Sequence, residues 1–311
     1  MRIPLFDAHC DTLSRILEAP GRHLAGNNGQ WDLNRMGDFA PQAQIFAVFA
    51  DSALPCAREK AARQIAAFHR ECQLFQDRIV PCTSGAQAEK AAAQGKIAAF
   101  LSVEGAELLG CSIEGLRQGY RQGVRAVNLT WNRANRLSGS HSEQPKRGLS
   151  SEGKTFVREM QRLGMLVDVS HISDEGFWDI LKITNGPVIA SHSNSRAVCG
   201  HSRNLTDDMF RAICETGGVT GFNQCAPFVG KKPTLDTACD HFLHFLELDP
   251  SGTHIALGGD LDGCDEMPEG FEGVQSYPSL ANRLLVRGVD EKTLHGIFWD
   301  NALNVLERAG N

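Results

Sequence analysis

The chain has 311 residues, 42% of them hydrophobic and 22% charged, proportions that exclude a disordered chain because enough apolar mass exists to offset the entropy of ordering it. With 31 Lys+Arg against 37 Asp+Glu the net charge is −6, and no basic block or stripe appears, which argues against nucleic acid and anionic membranes as partners. No run of 18 apolar residues and no secretory pattern is visible, and ten cysteines are scattered without CxxC pairs, so the expectation is a cytoplasmic chain with reduced thiols and no membrane contact.

In chain order, short apolar or β-branched runs predict strands over Ile3–His9, Gln44–Ala50, Ile97–Glu104, Val124–Trp131, Met165–His171, Pro187–His192, Gly218–Asn223 and His254–Asp260. Between most of them, helical periodicity predicts helices over Ala57–Phe75, Ser112–Gln122, Glu152–Leu163, Asp174–Lys182, Asp207–Glu215 and Leu235–Leu246, with Ser279–Val286 and Glu291–Ala309 following the eighth strand. Ser173 and Thr206 read as N-caps followed by carboxylates, and Gly95, Gly123, Gly164 and Gly186 as helix stops. Eight alternations of near-continuous apolar strands with helices point to an α/β fold, a (β/α)8 TIM barrel occupying residues 1–311 as a single domain. An open doubly wound sheet is the alternative, but no GxGxxG follows the first strand. The longest connection, Asn132–Ser151, follows the fourth strand, at the end of a barrel where active sites form.

Polar residues gather at that end. The first strand closes on His9-Cys10-Asp11, with His9 and Asp11 on one face; others close on Glu104, His171, His192 and Asp260. Three imidazoles and several carboxylates at one barrel mouth repel and desolvate one another unless divalent cations neutralise them, and Zn2+ accepts both ligand types. Glu104 is suited to bridge two ions roughly 3.5–4 Å apart. Asp168 lies on the opposite face from His171 by parity, and Asp262 shares the parity of Asp260 but lies past the strand end, so it ranks second. The remaining histidines, His201 and His241 among them, read as surface or structural residues, and His141 is left open.

His9-Cys10-Asp11, Ser102-Val103-Glu104-Gly105, Val169-Ser170-His171, Ser191-His192-Ser193, Ser202-Arg203-Asn204 and Gly258-Gly259-Asp260-Leu261-Asp262-Gly263, in that order, resemble the membrane (renal-type) dipeptidases of the amidohydrolase superfamily, over nearly the whole chain. The resemblance implies a zinc-dependent dipeptidase with two Zn2+ per chain. His9, Asp11, Glu104 and Asp260 would hold one ion, and Glu104, His171 and His192 the other, with a hydroxide between the ions as nucleophile. Asp260 would act as general base and then acid, and Arg203 would grip the substrate's C-terminal carboxylate. The substrate partner would be a small dipeptide, L,L and with tolerance for L,D, and a homodimer is an assembly common in the superfamily. The family's better-known members have a His after the fourth strand, where this chain reads Leu129-Thr130-Trp131-Asn132. Either Asn132 or His141 then supplies the missing donor, the metal alone polarises the carbonyl, or the substrate differs. The competing readings are another amide or lactone hydrolase of the superfamily and a catalytically degenerate binding barrel.

Overall fold

The computed structural model describes residues 2–18 and 21–309. Nine strands form, β1 (Leu5–Cys10), β2 (Gln42–Phe49), β3 (Ile79–Pro81), β4 (Ile97–Glu104), β5 (Val124–Asn128), β6 (Leu166–Asp168), β7 (Val188–Ile189), β8 (Thr220–Phe222) and β9 (Ile255–Leu257). Parallel pairing runs β7-β6-β5-β4-β2-β1-β9-β8, and a parallel bridge between Ala190 and Thr220 joins the two ends. The result is a nearly closed eight-stranded barrel with alternating helices, a (β/α)8 barrel. The ninth strand, β3, pairs only with the first half of β4, ahead of the point where β5 takes over that edge.

Six expected strands run too far at their C-terminal ends: the stretches beginning at Gln44, Val124, Met165, Pro187, Gly218 and His254 leave the ladder at Phe49, Asn128, Asp168, Ile189, Phe222 and Leu257. Leu129 and Val169 beyond those ends stay buried, so hydrophobicity alone cannot register the departure. β3 and the helices Thr12–Ile16, Gly85–Ala93 and Ala226–Val229 are additions to the sequence reading. Gly85–Ala93 escapes a periodicity search because it buries only Gly85, Ala88 and Ala91. Ser173 and Thr206 do cap their helices, accepting from the backbone N–H of Gly176 and Met209.

Two apolar layers hold the barrel. The helices pack on its outside, while Phe6, Ile45, Phe100, Leu166 and Ile189 fill its lower interior. The Phe6 and Phe100 rings stack at 5.8 Å, and Trp299, Leu303 and Leu306 of the C-terminal helix close the bottom. The expected helix Glu291–Ala309 contains a π-helical turn over Gly296–Asp300. The wider turn shifts the face that follows it, and Asn301 Nδ2 fastens that face by donating to the carbonyls of Gly252 and Ile255, both at 2.7 Å. With the lower barrel packed solid, only the upper rim is left for chemistry. None of the ten cysteines is bridged. Among the described residues no helix is long and apolar enough to cross a membrane.

Candidate metal centre

The upper rim is built by departures from regular strand geometry. In β1, Phe6 and Ala8 face the lower interior, so simple alternation would turn His9 outward. A register irregularity between Asp7 and Cys10 reverses the phase, sending Cys10 into the outer apolar layer and His9 into the barrel mouth. The buried Asp7 carboxylate fixes this bulge: it accepts from the backbone of His9 at 2.9 Å and of Gly259 at 3.1 Å, and from the Tyr277 hydroxyl. β4 keeps its alternation, so Phe100, Ser102 and Glu104 share one face. His171 (φ 70°) and Asp260 (φ 56°) lie beyond their strands in left-handed backbone that L-residues rarely adopt. Gly263 completes the turn; a Cβ there would sit 2.3 Å from Asp11 Oδ2 and 2.4 Å from Asp260 Oδ1.

These devices bring His9, Asp11, Glu104, His171, His192 and Asp260 together in two groups around one carboxylate. On one side His9 Nε2 lies 3.4 Å from Asp11, 3.6 Å from Glu104 Oε2 and 3.9 Å from Asp260 Oδ1. On the other, Glu104 Oε1 lies 2.7 Å from His171 Nε2 and 3.5 Å from His192 Nε2, and the two imidazole nitrogens are 3.0 Å apart.

Protons alone leave this arrangement unsatisfied. His171 Nδ1 donates to Asn132 Oδ1 at 2.9 Å, and an amide oxygen only accepts, so the neutral ring presents a bare lone pair at Nε2. That lone pair faces a carboxylate oxygen and a second imidazole. Burial, reinforced by the charge of Arg203, lowers His171; burial, then the charges of His9 and Arg203, hold His192 well below the usual histidine range. Burial opposes a charged His9 too, but Asp11 and Glu104 outweigh it and hold that imidazole well up. Burial also raises Asp11, to about 7 despite His9. Both ring nitrogens of His9 and Oδ1 of Asp11 are buried without a hydrogen-bond partner. Imidazoles and carboxylates converging at the rim, with buried polar atoms of His9 and Asp11 left unpartnered, are a donor set that divalent zinc-like cations accept, and the residues fit such ions.

A cavity of about 580 Å³ opens above this floor. Phe49 and Trp131, with ring centroids 4.8 Å apart, line it, as do Phe228 and His201, at 4.6 Å. His201, read from sequence as a surface or structural residue, thus faces the cavity. His141 lines it too but has both nitrogens engaged, donating to Asn132 Oδ1 and accepting from Ser202 Oγ, each at 2.9 Å. Burial, with Arg203 adding, pushes His141 down to about 2, so it is neutral. Asn132 also lines the cavity, and its Nδ2 has no partner among the described residues.

Arg203 is buried beside the floor, in a narrow recess shared with His141 and His171. It donates to Ser193 Oγ at 3.2 Å and to the His192 carbonyl at 3.1 Å. Its Nε is unpartnered, and among the described residues no carboxylate pairs with it.

Two acidic residues take other work. Asp168 ends β6, so parity counted on to His171 has no meaning there; its Oδ1 accepts from the backbone of Ser170 at 3.0 Å and Ser191 at 3.1 Å. Asp262 accepts from Thr12 Oγ1 and from the Gln30 backbone, both at 2.6 Å, and so ties the rim to the first loop. The sequence reading passed over three supports: Asp7, the bond from His171 to Asn132, and Asn223, whose Nδ2 donates to Asp260 Oδ2 at 3.0 Å. Asn223 carries the signal that exposed the others, a polar residue ending a barrel strand, and Asp7 is a carboxylate within an apolar run.

Comparison with known proteins gives the family. The family model for membrane dipeptidase (peptidase family M19) matches residues 1–311. An uncharacterized dipeptidase of Schizosaccharomyces pombe is 37% identical over 223 residues, 69% of this chain and 53% of that protein, so the chain matches about half the length of this curated relative. Among solved structures, the dipeptidase AC, an M19 metallo peptidase, is 27% identical with a TM-score of 0.92, and each chain is covered completely. A metallo peptidase from Rhodobacter sphaeroides, liganded with a phosphinate mimic of the dipeptide L-Ala-D-Ala, is 25% identical with a TM-score of 0.91, covering 99% of this chain and 100% of that one.

Proposed function

Because the chain belongs to the membrane dipeptidase family, peptidase family M19, we propose that it is a zinc-dependent dipeptidase using two Zn2+ per chain. The observation that carries this reading is Glu104, whose Oε2 lies 3.6 Å from His9, itself beside Asp11 and Asp260, while its Oε1 lies 2.7 Å from His171 and 3.5 Å from His192. These six residues would hold the ions. When bound, the ions supply Lewis acidity at the scissile carbonyl and a water acidic enough to ionise near neutrality.

The chain's own groups do the rest. Asp260, at the cavity floor with Asn223 holding Oδ2, takes the proton of the attacking water and delivers it to the leaving amine. Arg203, buried with no carboxylate partner among the described residues, binds the substrate's C-terminal carboxylate. Asn132 Nδ2 supplies the donor to the scissile carbonyl, a role the indole N–H of Trp131 fills poorly, while its Oδ1 keeps Nε2 of His171 free to ligate. Phe49 and Trp131 exclude water from one side. Small dipeptides, L,L and L,D, fit this site, and the analogue bound by the Rhodobacter relative supports the L,D class. Unbridged cysteines support a reducing, cytoplasmic setting.

The test is turnover of a panel of L,L and L,D dipeptides by zinc-loaded protein, alongside N-acyl amides and lactones. Hydrolysis of dipeptides, lost in Asp260→Asn, is expected. Preference for lactones, with Arg203→Ala leaving KM for dipeptides unchanged, would replace the proposal with a different superfamily hydrolase.

A further inference from the structure

Two thiols flank Asp260, and the mechanism above uses neither. Cys225 follows β8 and lines the cavity wall, half-buried; Cys264 follows the turn carrying Asp260 and is 4% exposed. Their sulfurs and a carboxylate oxygen of Asp260 all lie within 4.8 Å of one another. Backbone bonds hold the two segments in register, Gln224 N–H to Gly259 O at 3.3 Å and Ala226 N–H to Glu266 O at 3.0 Å. Asn223 ties them again, accepting from Cys225 N–H at 2.6 Å while donating to Asp260 Oδ2. Two sulfurs with one carboxylate are not a donor set for Mg2+ or Ca2+; they select soft d10 cations.

We propose that Cys225, Cys264 and Asp260 form a third cation site, for a thiophilic divalent ion, whose occupation inhibits the enzyme by engaging Asp260. Binding forms two metal–sulfur bonds and one metal–oxygen bond and releases the two thiol protons to solvent, with no change of oxidation state. Cys225 at the cavity wall gives the ion its way in. The inhibitory consequence rests on the role proposed for Asp260; coordination itself rests on the three side chains alone.

The experiment adds Cd2+ to the zinc-loaded protein while recording near-ultraviolet absorption, bound zinc and dipeptide turnover. No sulfur belongs to the proposed zinc ligands, so a thiolate-to-cadmium charge-transfer band reports a different site. The band is expected to saturate at one added ion per chain with zinc retained, and turnover to fall by about 10²-fold, the lower range for losing a positioned general base. Cys225→Ser and Cys264→Ser should each abolish both effects at the same Cd2+ concentration. Should the buried Cys264→Ser fail to fold, Cys225→Ser at the cavity wall decides alone. Absence of the band, or its survival in Cys225→Ser, overturns the site. A saturated band with undiminished turnover overturns the inhibitory role. Protein that turns over no dipeptide before Cd2+ is added contradicts the function proposed above, while the band still decides the coordination.

Discussion

Glu104 is the residue on which the proposed two-ion centre turns, because it faces His9 with one oxygen and His171 with the other. Glu104→Ala is therefore expected to bring bound metal from two ions per chain toward one, read by elemental analysis after gel filtration; two retained ions would show that it does not bridge. Asn132 acts partly through His171, whose tautomer it sets, and outer partners of this kind typically contribute 10–100-fold to metal affinity. Asn132→Ala should lower the affinity of one ion by about that factor, measured by competition with a chelator, and lower kcat as well. Arg203→Ala should raise KM for dipeptides by roughly 10²-fold, in the range for removing one partner of a desolvated charge pair. The lysine variant should recover only part of this, since an ammonium lacks the planar fork.

At the scale of elements, the strands show what sequence can and cannot register. Glu104 was legible as the polar residue closing an apolar run, and β4 is regular from Ile97 to Glu104. Alternation grouped His9 with Asp11 but not the bulge that turns His9 inward, since bulges depend on a partner, here Asp7, that no local pattern reveals. His171 and Asp260 were legible as polar residues at the ends of apolar runs, yet their left-handed backbone was not, and neither was Asn132 as the support of His171. Helix-to-helix contacts on the outer ring were equally invisible. Glu159 joins the helices Ile113–Arg121 and Ser151–Arg162, accepting from Arg117 Nε and Arg162 Nε at 2.7 Å each. The Arg162 and Arg117 hydrogen bonds lower its carboxyl to about 2. Because the folded value is depressed, its stabilisation is present above the ordinary glutamate range near 4.5 and is lost as pH falls toward about 2. Glu159→Gln should lower Tm by roughly 1–2 °C at neutral pH, a modest effect suited to a surface pair, with the difference from wild type closing through that acid window. A difference that stays constant from pH 7 to 2 would assign the effect to packing.

For the whole molecule, the barrel separates stability from chemistry. The lower interior, closed by Trp299, Leu303 and Leu306, is apolar, whereas the upper rim gathers several buried carboxylates and imidazoles whose desolvation is costly without cations. Metal removal should therefore cost stability as well as activity: stripping the protein with a chelator is expected to lower Tm by roughly 8 °C or more, the scale of a ligand held far above its Kd, and Zn2+ should restore it. An unchanged Tm would mean that the rim is satisfied without ions. The most direct test of the binuclear centre is anomalous diffraction at the zinc edge from crystals of the zinc-loaded protein. Two peaks are expected, one among His9, Asp11, Glu104 and Asp260 and one among Glu104, His171 and His192. A single peak, or density at the rim with no anomalous signal on either side of Glu104, would contradict it.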